Sequence, residues 1–123
     1  MLSVADVIFK KGHIYWIITF LILALILWGT LSPPNRIELP DIGSDKTQHF
    51  LAFAALVSPL ILYNLKNIFW LTPLALLLGA LIELIQPVFD RHRDISDFYA
   101  DALGVLFSVT VISTAKLIFK RNN

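Results

Sequence analysis

Asp45, Lys46, His49, Glu83, Gln86, Arg91, Asp94, Asp97 and Asp101 are the residues of this chain whose types and spacing could do chemistry. Asp45 and His49 are four apart and Lys46 and His49 three apart, so on a helix all three share one face. Glu83 and Gln86 have the same i,i+3 relation at the end of a different apolar run. Asp97, Asp101, Gly104 and Ser108 follow 4-3-4 spacing, a stripe that starts acidic and ends in small residues. His49, oriented by Asp45 and assisted by Glu83, has the composition of an acid–base pair. His49, Glu83, Asp97 and Asp101 could ligate a metal, but one imidazole among carboxylates is not a diagnostic spacing, and no metal ligand is assigned. Lys46, Arg91 and Arg93 suit a phosphate or carboxylate, which arginine can hold bidentately. The chain has no cysteine, which excludes thiolate chemistry and Cys-ligated metals. It also lacks a nucleophile elbow, a P-loop and an HExxH pair. No motif assigns a cofactor.

The elements that must position these residues are apolar. Of 123 residues, enough for one domain (1–123), 57% are hydrophobic and 15% charged, and the mean hydropathy is +0.74. Soluble domains hold roughly 45–50% apolar and about 25% charged residues, so this composition indicates an integral membrane protein. Net charge is +1 with no basic block, which gives no reason to expect a nucleic-acid partner. Apolar runs predict helices over 14–31, 48–65, 68–85 and 98–119, an all-α bundle of four transmembrane helices. The first run is longer than a signal-peptide core and has no cleavage site after it, so it reads as a retained helix. Ser32-Pro33-Pro34 ends it, and a polar loop with Arg36, Glu38 and Asp41 follows. Pro59 interrupts the second run, and a turn around Asn64 to Asn67 makes the second and third helices a hairpin.

Four crossings put both termini on one side. That side holds Lys10, Lys11, Lys66, Lys116, Lys120 and Arg121; the other holds Arg36, Lys46, Arg91 and Arg93. The bias predicts cytoplasmic termini and brings the polar residues together at the outer face. Glu83 and Asp101 lie within apolar runs, where a carboxylate normally turns inward to a partner. Asp101 is expected to face Glu83 and His49 across the bundle. Gly104 and Ser108 are expected to be helix-packing positions.

This order of motifs resembles the VanZ-like family of small bacterial membrane proteins. The resemblance runs through Asp45-Lys46-x-x-His49-Phe50, Glu83-x-x-Gln86, Arg91-x-x-Asp94-x-x-Asp97 and Ala100-Asp101-x-x-Gly104, a core of 45–104. The chain departs from the family pattern in two places. Asp101 stands where relatives often have Asn, and Phe89-Asp90 replaces a common Pro-Gly, so that Arg93 is a second candidate for the family's arginine. The resemblance implies a multi-pass protein of the bacterial plasma membrane, in a family whose founding member is associated with teicoplanin resistance; it implies no reaction. The resulting expectation is binding or handling of an anionic, lipid-linked headgroup of the cell envelope at the outer face, with membrane lipids as partners. Alternatives are a membrane enzyme, acid–base or metal-assisted, acting on a lipid-linked phosphate, and a structural or partner-binding bundle without ligand.

Overall fold

A computed structural model describes residues 1, 3, 4, 12–32 and 45–122. Among them are four long helices and no strand: α1 (His13–Leu31), α2 (Asp45–Tyr63), α3 (Ile68–Ile85) and α4 (Ile95–Asn122). Short 3-10 turns, Leu65–Asn67 and Gln86–Phe89, flank α3. The fold is thus the all-α bundle the sequence predicts. Arg36, Glu38 and Asp41, with Lys10 and Lys11, lie outside the described residues.

Several helix ends have a local reason. Gly12 precedes α1 at φ 70, a backbone that favours glycine, and a Cβ there would sit 2.6 Å from the Tyr63 ring and displace it. Ser32 ends α1 in an extended conformation, as the following proline demands. The last turn of α2 leaves carbonyls that side chains satisfy: Asn67 Nδ2 donates to Leu60 O at 2.8 Å, and Lys116 donates to Leu62 O. Asp94 caps α4, its Oδ1 accepting from Ser96 N at 2.9 Å and its carbonyl from Asp97 N at 2.9 Å. α2 and α4 therefore each begin three residues before the start expected from apolarity, and Asp45, Lys46 and Asp97 occupy first turns.

Contacts set the bundle's polarity. Tyr15 meets Tyr63 at 5.1 Å between centroids and Trp16 stacks on Trp70 at 5.8 Å, so the start of α1, the end of α2 and the start of α3 share one pole. The Lys116–Leu62 contact puts the end of α4 there too. The helices run alternately up and down. α2 supplies Phe53, Leu56, Val57, Leu60 and Ile61 to the core, against Leu71, Ala75 and Ile82 of α3 and Val105 of α4. At Gly104 a Cβ would lie 2.2 Å from Phe50 O, so α2 and α4 touch backbone to backbone. Below that contact Ser108 Oγ donates to Ala54 O at 2.7 Å and lies 3.0 Å from Ser58 Oγ. Gly104 and Ser108 are packing positions, as expected.

The outer surfaces are apolar: Leu21, Leu25, Leu74, Leu77, Leu103, Leu106 and Phe107 are all exposed. A soluble monomer does not leave such a contiguous surface to water. α1, α4 and the segment Leu65–Phe89 are long and apolar enough to cross a membrane. The chain is a membrane protein.

Candidate functional site

The pole opposite the stacked tryptophans gathers the polar residues. α2 brings Asp45, Lys46 and His49 in its first turn and a half, α3 brings Glu83, and the 3-10 turn that follows brings Gln86. The 90–94 connection brings Arg91 and Asp94, and α4 brings Asp97 and Asp101. His49, Glu83, Gln86, Asp97 and Asp101 are buried, whereas Asp45, Lys46 and Asp94 are exposed.

His49 is the centre. Its Nδ1 lies 2.8 Å from Asp101 Oδ1, and Asp101 is 1% exposed. Its Nε2 faces Asp97 Oδ2 at 3.6 Å and Asp45 Oδ2 at 4.0 Å, both too long for a hydrogen bond. Lys46 Nζ spans from Asp94 Oδ2 at 3.0 Å to Asp97 Oδ1 at 3.1 Å, tying α2 to α4. The Ser96 hydroxyl, then Lys46 and the Ser96 amide, hold the Asp94 carboxyl down to about 2. Asp101 faces His49 as expected, and Gly79 of α3 makes room for it: a Cβ there would lie 3.0 Å from Asp101 Oδ2.

Glu83 takes a different task from the one expected. Its Oε2 accepts from Asp94 N at 3.0 Å, anchoring the connection between α3 and α4. The arginines also have tasks of their own. Arg91 donates to Gly29 O of α1 at 2.9 Å, and Arg93 to the carbonyls of Glu83 and Leu84, both at 3.2 Å. Gln86 Nε2 donates to Thr30 O at 3.2 Å. The end of α1 is thereby pinned over the site through its backbone carbonyls. At this pole three buried oxygens have no hydrogen-bond partner among the described residues: Glu83 Oε1, Gln86 Oε1 and Asp101 Oδ2.

Two adjoining spaces open here. A polar cleft of about 280 Å³ is lined by Asp45, His49, Gln86, Asp90, Arg91, His92, Asp94 and Asp97. A groove of about 360 Å³ descends between α1 and α2, lined by Ile22, Leu25, Ile26, Ala52, Phe53 and Ala55, and it shares Asp45, His49 and Arg91 with the cleft. Sequence reasoning did not single out Gly79, His92 or the α1 carbonyls. An isolated glycine four residues before a buried acid was the available signal for Gly79; a carbonyl acceptor leaves none.

Chemically, the arrangement presents an imidazole edge to the cleft. A neutral His49 that donates its Nδ1 proton to Asp101 turns the Nε2 lone pair toward Asp97 and Asp45, as a base or a ligand. A doubly protonated ring pairs with both acids instead. Comparison with known protein families, characterised proteins and solved structures finds no match to this chain.

Proposed function

We propose that the protein binds a phosphate-bearing lipid headgroup of the bacterial cell envelope, at the outer face of the plasma membrane. The observation that carries this reading is the union of polar cleft and apolar groove through Asp45, His49 and Arg91. An amphiphile has that shape: a head for the cleft and a chain for the groove. The free N–H groups of Arg91 are the cation for the phosphate, and the exposed His92 lines the same cleft. Asp45, Asp94 and Asp97 accept hydrogen bonds from hydroxyl or amide groups around it. The proposed topology has all four helices crossing, with α2 carried through by its neighbours, and both termini in the cytoplasm. The Lys/Arg bias supports that orientation, and the resemblance to the VanZ-like family supports the envelope context.

A second reading, an enzyme acting on a lipid-linked phosphate, is favoured by the His49–Asp101 hydrogen bond of 2.8 Å. That contact fixes the ring and leaves Nε2 to take a proton from a nucleophile. One experiment addresses both readings. Purified protein is titrated with a long-chain alkyl phosphate and with the matching alcohol, and free phosphate is followed over time. Tighter binding of the phosphate, weakened in Arg91→Ala, is expected; equal binding of both compounds would refute the headgroup reading. Phosphate release that stops in His49→Ala would select the enzyme.

A further inference from the structure

We infer that Asp45, His49 and Asp97 form a binding site for a divalent first-row metal ion, Mn2+ or Zn2+. Each offers one ligand atom, and these atoms all lie within 4.8 Å of one another. Metal–ligand bonds of about 2.0–2.2 Å place neighbouring ligand atoms roughly 3.0–3.5 Å apart. The 3.6 Å from His49 Nε2 to Asp97 Oδ2 is already close to that span, and the 4.0 Å to Asp45 Oδ2 is closed by a small movement of Asp45, which is exposed.

Three further observations point to a cation. A neutral His49 that donates its Nδ1 proton to Asp101 directs a lone pair at two carboxylate oxygens, and either a proton on Nε2 or a cation between them relieves the repulsion. Asp97 divides its oxygens: Oδ1 serves Lys46 at 3.1 Å, and Oδ2 is left on the His49 side. Gln86, 4% exposed, lines the same cleft with an Oε1 that has no hydrogen-bond partner among the described residues. That buried amide oxygen is a further hard donor in the wall of the same cleft. The His49–Asp101 contact is the carboxylate that orients a ligating imidazole from behind. One nitrogen with several oxygens suits Mn2+ or Zn2+ better than the all-oxygen shells of Ca2+ and Mg2+. The set differs from the one considered from sequence: Asp45 replaces Glu83, which holds the Asp94 amide, and Asp101 stands behind the imidazole.

The metal site shares Asp45, His49 and Asp97 with the proposed headgroup cleft, but its test uses metal salts alone, so its failure and that of the lipid reading are distinguishable. The full chain in detergent, stripped with a chelator, is titrated with MnCl2 alone by electron paramagnetic resonance and with ZnCl2 alone by calorimetry. One equivalent is expected, with an imidazole nitrogen coupling to Mn2+ that disappears in His49→Gln. Asp45→Asn and Asp97→Asn should each weaken binding at least about tenfold. Asp101→Asn, acting through the imidazole, should weaken it by about tenfold while keeping the stoichiometry. Asp45 is exposed at a helix start, so its variant keeps the fold and the comparison decides. Absence of saturable binding to the wild type, or wild-type affinity in both Asp45→Asn and Asp97→Asn, would overturn the assignment.

Discussion

At the scale of the residue, Asp101 is the most informative side chain. It is fully enclosed, bonded to His49 through Oδ1, with Oδ2 beside Gly79 and without a partner among the described residues. An amide in its place keeps an acceptor for His49 and exchanges one unpartnered polar group for another. Asp101→Asn should therefore change stability by no more than about 1 kcal/mol, whereas Asp101→Leu, which strands the imidazole, should cost about 3 kcal/mol. Equilibrium unfolding in detergent checks the pair, and equal tolerance of both changes would contradict the account. Asp94 gives a pH-dependent counterpart. Its folded value of about 2 lies below the ordinary carboxylate value, so its contribution is complete above the unfolded value and lost as pH falls through the folded one. The melting-temperature gap between wild type and Asp94→Asn should be constant above about pH 5, shrink below about 4 and have lost most of its size by about 2. A gap of undiminished size at pH 2 would show that the carboxylate charge is not what holds this cap.

At the scale of the element, the α2–α4 seam carries the site, because it sets His49 against Asp97 and Asp101. The seam depends on Gly104, whose added Cβ would meet a carbonyl oxygen rather than a movable side chain. Gly104→Ala should destabilise by about 1–3 kcal/mol. Ser108→Ala should cost about 0.6 kcal/mol, the average for an interhelical hydrogen bond in a membrane. Thermal unfolding of the two variants ranks them, and the reverse order would mean that hydroxyls rather than close approach hold the seam. Much of this was legible beforehand. The stripe of Asp97, Asp101, Gly104 and Ser108 was read from spacing alone, and α3 was predicted at its observed limits. The starts of α2 and α4 were placed late because apolarity marked the boundaries, while Asp94 capping and the first-turn acids extend helices into polar sequence. The roles of Glu83, Arg91 and Arg93 were not legible. Glu83 accepts from a backbone amide and the arginines donate to backbone carbonyls, and neither kind of partner leaves a trace in residue types.

At the scale of the whole molecule, the bundle is a lipid-facing cylinder with one polar pole. Trp16, Tyr63 and Trp70 are exposed near the other pole, and Trp28 and Tyr99 near the polar one, where interfacial aromatic belts belong. Under the proposed orientation, a cysteine at His92 should react with an impermeant reagent added to intact cells, and one at Asn122 should not. Labelling at Asn122 alone would invert the protein and turn the cleft to the cytoplasm. The central claim, that the cleft and its groove hold a phosphate-bearing lipid, is tested most directly by native mass spectrometry of the protein extracted gently from its own membrane. The account predicts a retained phospholipid or prenyl phosphate on the wild type, depleted in Arg91→Ala and when Ala52→Trp fills the groove. Retention of only neutral lipids, or the same phosphate-bearing lipids on all three proteins, would contradict it.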